Sequence, residues 1–221
     1  MATSGTTTFN MDVDEIVTEA YSRVSQEPIT GFEAKTARIS LNLILQSMIN
    51  KGILLWTVKL SSFTTTQGDL DVTLDSDVVD VLDVYLRRDG MDSELVRISR
   101  QEYDLLPDKD SQGRPSQFYI DRLSDSTVMY IWNAPENSTD TIFYRKKTRM
   151  EDVSTLRNNI EVPQRWLEWV NSELAHKLSY KRQGVAAQKR MELKALADQE
   201  FAFAEGEESD RTGTRILPDF M

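Results

Sequence analysis

The residue types that most often carry enzyme chemistry are scarce in this sequence. Its 221 residues include a single histidine, His176, and no cysteine, which excludes disulfides, thiolate metal sites and cysteine nucleophiles. His176 lies beside Leu174 and Leu178 in a segment with helical periodicity, a position typical of a partly buried structural histidine. The sequence lacks a glycine-rich phosphate loop, a nucleophilic serine elbow and a His-x-x-Glu metal pattern. It therefore predicts a protein that is not an enzyme and that needs neither a cofactor nor a metal.

Carboxylates are the remaining candidates for chemistry. Asp69, Asp71, Asp75 and Asp77 alternate as in a calcium-binding loop, but the glycine at the sixth position and the glutamate at the twelfth are missing. A carboxylate pair could also hydrolyse glycans, yet the 36 acidic residues offer many pairs and the sequence selects none. We interpret the acidic series as solvated charge and keep a carboxylate-dependent glycan hydrolase as the less favoured alternative.

The net charge of −10 is unevenly distributed along the sequence. Residues 66–112 contain thirteen acidic and five basic side chains, whereas residues 163–200 contain seven basic and five acidic ones. Such a polar molecule can be oriented by its charge against a partner.

Trp166, Trp169 and Tyr180 could form a base-stacking platform, but Trp166 belongs to the apolar stripe of a predicted helix. We therefore expect no sequence-specific binding of nucleic acid, while passage of DNA along an acidic wall is compatible with the charge.

Helical periodicity marks the first part of the chain. It predicts a helix over 13–24, which Asp12 and Glu15 start with a capping box. The pair Thr30 and Glu33 repeats this device at the start of a second helix. The buried stripe of the second helix is predicted to be Ala34, Ala37, Leu41, Ile44, Leu45 and Met48, and the stripes of the two helices are expected to pack on each other through the short connection at 25–29.

Helical periodicity returns near the C-terminus. It predicts a helix over 163–182, with Pro163 in its first turn, and further helical structure over 185–205. Gly184 separates the two stretches. Because glycine costs a helix interior only about 1 kcal/mol, the pattern leaves open whether they form one kinked helix or two.

The middle of the sequence alternates with a period of two, which is typical of strands. The segment 113–135 predicts a hairpin with its turn at 123–127, and the Asp89-Gly90 pair predicts another. A single helical turn is expected within 101–106. No helix-length pattern separates the strands, so we expect an antiparallel sandwich or a small barrel. The predicted strands are 53–66, 71–74, 78–88, 94–98, 116–122, 127–133 and 140–148.

The predicted fold class is α+β, with a helical bundle formed by the N- and C-terminal helices, an inserted antiparallel β sandwich or barrel-like domain, and an extended C-terminal arm. No apolar run is long enough to span a membrane, and the N-terminus lacks the pattern of a secretory signal. Synthesis in a cytoplasm is therefore expected. The predicted boundaries are 1–10 for a flexible N-terminal arm, 11–55 and 160–205 for the bundle, 56–150 for the β domain and 206–221 for the arm.

Several short motifs, in this order along the chain, carry a resemblance to a known family. They include Gly52–Trp56, Leu-Val-Arg-Ile-Ser at 95–99, Gly-Arg-Pro-x-x-Phe-x-Ile-Asp-Arg at 113–122, Tyr-Ile-Trp at 130–132, Phe-Tyr-Arg at 143–145, and Pro163-x-x-Trp166 before Leu174. No single motif is specific. Together they resemble the head-to-tail adaptor proteins, also called connector or tail tubular proteins, of short-tailed bacteriophages.

The resemblance implies a structural virion protein of the neck and tail region, synthesised in the host cytoplasm. Such a subunit would form a homo-oligomeric ring, expected to be a dodecamer, that binds the portal protein and connects the capsid to the tail. A tail nozzle or tube protein would bind its distal side, and double-stranded DNA would pass through the lumen without specific binding. The alternative from another class is a carbohydrate- or receptor-binding β domain of a tail.

The C-terminal arm is the predicted partner-binding segment. It carries large apolar side chains in a stretch too short to bury them by itself, which predicts a docking site on a partner. Proline favours an extended backbone in the residue before it, so the arm could add as a strand to a groove of the portal. The predicted portal-binding residues are Arg211, Arg215, Ile216, Leu217, Pro218, Phe220 and Met221.

Overall fold

The computed structural model describes residues 5–52 and 55–208. The chain divides into two compact units, a helical unit within residues 1–48 and 151–221 and a β unit at Ile49–Met150. The α+β class is confirmed. Within the described ranges, no helix is long and apolar enough to cross a membrane. The helices are α1 (Val13–Val24), α2 (Gly31–Ile49), α3 (Arg100–Asp104), α4 (Gln164–Lys181) and α5 (Ala187–Glu208).

Local hydrogen bonds start the first two helices of the helical unit. At α1 the Asp12 carboxylate accepts from the Glu15 backbone N–H at 2.8 Å, and the Glu15 carboxylate accepts from the Asp12 N–H at 3.1 Å. Thr30 and Glu33 make the same reciprocal pair before α2, at 2.9 and 3.3 Å. Both predicted capping boxes are confirmed. Each satisfies N–H groups that the first turn of a helix leaves without partners.

The last two helices, α4 and α5, are separate. Gly184 lies between them with a φ of +80°, in the left-handed region that glycine adopts without steric cost. After this turn α5 packs along α4, and α1 packs against α4 as well. The ring of Phe201 meets those of Trp166 and Trp169 edge-on, each at 5.6 Å between centroids. The kinked-helix alternative is therefore wrong, and the predicted bundle of N- and C-terminal helices is confirmed.

The strands of the β unit are β1 (Val58–Thr64), β2 (Asp71–Thr73), β3 (Val78–Arg88), β4 (Met91–Glu94), β5 (Val96–Arg97), β6 (Gln112–Gly113), β7 (Gln117–Arg122), β8 (Thr127–Trp132), β9 (Ala134–Pro135) and β10 (Thr141–Thr148). They include two four-stranded sheets, with strand orders β1-β10-β3-β4 and β2-β8-β7-β5. Both predicted hairpins form: β7 pairs with β8, and β3 pairs with β4 across Asp89 and Gly90 at φ +52° and +78°. Side chains from both large sheets share one core, so the unit is a sandwich. The core residues are Leu74, Val78, Val81, Val84, Leu86, Leu95, Phe118, Ile120, Met129, Ile131, Ile142 and Tyr144.

The segment predicted as one strand over 94–98 is divided between the two sheets. β4 pairs with β3 in the first sheet, whereas β5 pairs with β7 in the second. Leu95 is the buried residue at which the chain changes sheet, and its N–H donates to the Val84 carbonyl at 2.9 Å. The pairings β5–β7 and β6–β9 are parallel. The second sheet is therefore mixed, because the chain crosses from one layer to the other at Leu95, whereas the first sheet is antiparallel throughout. Local alternation of side chains does not predict such a crossing.

The strand predicted from residue 53 begins later in the structure. Leu55–Thr57 form a short 3₁₀ helix, and β1 starts at Val58. The Lys147 ammonium donates to the carbonyls of Ile49 and Gly52 at 2.8 and 2.7 Å. These bonds lie within the β unit and hold residues 49–52, just before the 3₁₀ helix, against β10. Alternation of side chains alone could not predict this later start, because the hydrogen bonds come from a strand almost a hundred residues away in the sequence.

Candidate interaction surfaces

The predicted portal-binding residues lie outside the described part of the chain. These are Arg211, Arg215, Ile216, Leu217, Pro218, Phe220 and Met221. The extended arm was predicted to start at Gly206, but α5 continues to Glu208. That boundary is wrong for residues 206–208, because a glycine near the end of a helix costs only about 1 kcal/mol and Glu208 is held by tertiary contacts.

Glu208 fastens the end of α5 to the start of α4. Its carboxylate accepts from the Arg165 guanidinium at 2.6 and 3.0 Å and from the Trp166 indole N–H at 3.3 Å. The Glu208 side chain is only 4% exposed. This contact was not predicted from the sequence, although Ala197, Ala204 and Glu208 continue one helical face at spacings of seven and four. The described chain therefore ends at a fixed point beside the N-terminal end of α4.

One side of α2 is apolar and exposed. Phe32, Ile39 and Leu43 are spaced seven and four residues apart, and their exposed fractions are 76%, 49% and 59%. The opposite side carries the predicted buried stripe, which is confirmed for Ala37, Leu41, Ile44, Leu45 and Met48. Lys35 and Arg38 are next to the exposed apolar residues and have no ion-pair partner among the described residues. We call Phe32, Lys35, Arg38, Ile39 and Leu43 the α2 face.

A second exposed apolar surface lies on α5. Leu196 and Phe203 are seven residues apart and exposed by 37% and 61%, and Ala195 and Ala202 beside them are exposed. Leu193, Ala197 and Ala204 on the other side of α5 are buried. Leu196 has helical spacing with these residues, but it is exposed because the buried side of α5 is rotated away from it. We call Glu192, Ala195, Leu196, Gln199, Glu200, Ala202 and Phe203 the α5 face.

The acidic stretch of the β unit is partly neutralised within the chain. The Lys146 ammonium donates to Asp75 at 2.8 Å and to Asp77 at 3.1 Å. Burial lowers the pKa of Lys146, but these two carboxylates outweigh burial and raise the pKa above its usual value. Asp80 forms ion pairs with Arg97 and Arg122 at 2.9 and 3.6 Å. Among the described residues, no three acidic or histidine side chains are grouped so that they could hold a metal ion.

His176 is a half-buried side chain of the helical unit, 14% exposed, with its ring edge-on to that of Tyr180. Burial lowers the pKa of His176, and the carboxylate of Glu173, 3.8 Å away, opposes this only in part. Its Nδ1 atom has no hydrogen-bond partner in the described chain. A catalytic base would need a partner that orients its ring. These contacts agree with the structural role predicted for His176.

The two aromatic groups that could bind bases or sugars are packed inside the protein. Trp166 and Trp169 are each 1% exposed, so the base-stacking hypothesis is wrong. On the β unit Tyr103, Tyr119 and Tyr130 contact one another at 5.3 to 5.8 Å between ring centroids. Their ring faces are used in this mutual packing, to which α3 contributes Tyr103. Neither group presents the open aromatic surface on which a nucleobase or a sugar ring could stack.

Comparison with known proteins gives one family match. The family described as SU10 adaptor protein matches residues 11–216, which is nearly the whole chain and includes both units. No curated protein matches the chain. The match begins next to the Asp12 cap of α1 and extends beyond α5.

Proposed function

The chain belongs to the SU10 adaptor protein family, a family of phage head-to-tail adaptors, and from this premise we propose that it is a ring-forming structural subunit of the virion neck. In this proposal the ring binds the portal on one side and a tail nozzle or tube protein on the other. Its role is mechanical rather than catalytic. The observation that carries the proposal is the family match over residues 11–216.

Features of the described chain support a subunit that works through its surfaces. The helical unit has two different exposed apolar faces, on α2 and on α5, which is what a ring with head-to-tail contacts requires of each copy. The candidates for chemistry that the sequence offered are used in folding: His176 is half-buried, and the tryptophans lie in the core. A subunit of this kind needs neither cofactor nor metal.

DNA would pass through the lumen of the ring without being bound specifically. The chain has a net charge of −10, and several of its arginines and lysines are occupied by carboxylates, as in the pairs Lys146–Asp77 and Arg97–Asp80. A surface of this composition offers few free cations to phosphates, so DNA would not gain the counterion release that drives its binding.

The segment 211–221 is proposed to anchor each subunit to the portal. Ile216, Leu217, Phe220 and Met221 are large apolar side chains that could enter a groove, and each would contribute about 1.5 to 3 kcal/mol on full burial. Many arms in one ring would bind with avidity. The Glu208 contact to α4 supports this arrangement, because it would connect a docked arm rigidly to the folded helical unit.

A binding assay with isolated portal rings tests the adaptor role. Native mass spectrometry and negative-stain imaging of the mixture should give a complex with a fixed, multiple number of adaptor copies. Failure of the full-length chain to bind portal rings, together with saturable binding of glycans or turnover of a glycan, would overturn the proposal in favour of one of the alternatives.

Substitutions in the arm test its anchoring role separately. The triple variant Ile216→Asp, Leu217→Asp and Phe220→Asp should stay folded and bind portal rings at least tenfold more weakly, because charged side chains cannot enter an apolar groove. The matched control, Thr212→Asp with Thr214→Asp, adds charge to the same segment and should bind almost like the unmodified chain. Unchanged binding of the triple variant would refute the anchoring role and leave the adaptor role intact.

A further inference from the structure

The α2 face and the α5 face share the same repeat. On α2, Phe32, Ile39 and Leu43 are part of a series with alternating spacings of four and three residues. On α5, Glu192, Leu196, Gln199 and Phe203 follow the same spacing. This repeat keeps side chains on one line of a helix, as is needed when two helices pack lengthwise at a small crossing angle. On each helix the two main anchors, Phe32 with Ile39 and Leu196 with Phe203, are seven residues or about 10.5 Å apart.

The charges beside the two apolar lines are opposite in sign. Lys35 and Arg38 border the line of α2, and neither has an ion-pair partner among the described residues. Glu192 and Glu200 border the line of α5; Glu200 has no ion pair in the described chain, and Glu192 accepts only from the neighbouring Gln188 amide. If the anchors are aligned, Lys35 lies opposite Gln199 when the two helices are parallel and opposite Glu200 when they are antiparallel.

We propose that the α2 face of one copy of this chain packs lengthwise on the α5 face of the next copy, and that this contact repeats around the ring. The proposal rests on the adaptor function and names the subunit surfaces that would build its ring. Phe32, Ile39 and Leu43 supply the apolar surface of one side, and Leu196 and Phe203 supply that of the other. Lys35 and Glu200 set the orientation, as charges at the edge of an interface do.

A second copy fits these faces better than another partner does. Each chain carries one face of each kind, so the two surfaces are supplied in equal numbers, and a repeated contact between different faces closes into a ring or continues as a filament. The two faces match each other in length, in spacing and in charge. If each face bound an unrelated partner, this match between them would have no reason to exist. Phenylalanine and arginine, which occur together on the α2 face, are also enriched in protein interfaces.

Chemical cross-linking in the portal-bound assembly tests the contact. Because the chain has no cysteine, introduced cysteines are the only sites for a short bismaleimide. The variant with Lys35→Cys and Gln199→Cys keeps the apolar anchors, and both positions are exposed. It should give a ladder of covalent multimers on a denaturing gel, since each chain can be joined to both neighbours. Each single variant, Lys35→Cys or Gln199→Cys, should remain monomeric on the gel.

The control and the opposing outcomes separate this contact from the adaptor function. The control pairs Lys35→Cys with Lys194→Cys, which lies on the far side of α5, and it should give no ladder. If native mass spectrometry finds the full number of copies on the portal but the Lys35→Cys, Gln199→Cys variant gives no ladder, the α2–α5 contact is refuted and the adaptor function stands. A monomer cross-linked to itself, or a dimer from a single variant, would refute the contact as well. If no assembly of several copies forms on the portal, the adaptor function fails instead.

Discussion

At His176 the burial of a titratable ring creates a pH dependence of stability. The groups that face it are Glu173 and Lys177 on α4 and Lys194 and Asp198 on α5. Burial is the largest effect and lowers the pKa of His176 below its ordinary value of 6.5. The unfolded chain therefore takes up a proton at a pH at which the folded protein does not.

The sign of this effect gives a prediction. The contribution of neutral His176 to the free energy of unfolding should be fully present above pH 6.5 and should be lost as the pH falls from there through the lower pKa of the folded state. His176→Gln removes this titration, so its free energy of unfolding should fall less between pH 7.5 and 5.5 than that of the unmodified chain. Urea unfolding at the two pH values measures the difference. An equal or steeper fall in the variant would contradict it.

The acidic residues show how one residue type serves two purposes. Asp75 and Asp77 hold the ammonium of Lys146, which is 9% exposed, whereas Asp69 and Asp71 are exposed strand and turn residues. The alternation of the four in the sequence indicates one solvated series. Their spacing could not divide them, because Lys146 is about seventy residues away along the chain and reaches Asp75 and Asp77 only through the pairing of β10 with β3.

At the scale of elements, a buried carboxylate holds the end of α5 against α4. The Glu208 carboxylate is 4% exposed and accepts from Arg165 and Trp166, while Glu205 on the same helix is exposed. A hydrogen bond to a charged group contributes about 1.5 to 3 kcal/mol. Its loss at a helix end is expected to cause fraying of the last turns, because the last carbonyl groups of a helix have no intrahelical partners.

Glu208→Gln should therefore free the last two turns of α5. We expect amide hydrogens of residues 203–208 to exchange at least tenfold faster in Glu208→Gln, because about 1.4 kcal/mol corresponds to a factor of ten. Amides of α1 and α4 should keep their protection. Glu205→Gln, the matched control, should exchange like the unmodified chain. If the two variants exchange alike at the end of α5, the buried carboxylate is not what holds it.

Elements specified by neighbours in sequence could be predicted, and those specified by distant residues could not. The starts of α1 and α2 depend on residues three positions apart, and β3 and the two hairpins follow from alternation and turn residues. The change of sheet at Leu95, the late start of β1 and the Glu208 contact depend on residues more than ten positions away. These three were missed for that reason.

The candidate interfaces were the hardest part to predict from sequence. In α2 the buried stripe could be predicted, but apolar residues occur on the other sides of the helix as well, so the pattern does not show whether a second, exposed apolar line exists. Burial of Leu41 and Ile44 in the folded chain settles the matter and leaves Phe32 and Ile39 exposed. In α5 helical spacing likewise does not separate the exposed Leu196 from the buried Leu193 and Ala197. A surface that only a second molecule covers can be recognised once the first molecule is folded.

At the scale of the whole molecule, a ring built from two different faces repeats the same pair of opposite charges at every contact. If Lys35 of one copy meets Glu200 of the next, reversing either charge alone should oppose like charges at every contact of the ring. Exposed pairs contribute about 0.2 to 1 kcal/mol, which corresponds to at most roughly a fivefold change per contact. The changes act together around the ring, so Lys35→Glu and Glu200→Lys should each raise the concentration needed to fill the portal.

The variant that carries both reversals distinguishes the proposed contact from its alternatives. With Lys35→Glu and Glu200→Lys in one chain, each new glutamate meets the new lysine of the neighbouring copy, so filling of the portal should return to nearly the original concentration. This rescue is the non-additivity that interacting residues show in a double-mutant cycle.

Contacts that pair α2 with α2, or α5 with α5, would not be rescued, because the double variant would still oppose like charges. Arg145→Glu combined with Glu200→Lys, with Arg145 on β10 and far from both faces in sequence, should give no rescue. Mass spectrometry of portal complexes over a concentration series measures all of these, and additive losses in the double reversal would refute the pairing of Lys35 with Glu200.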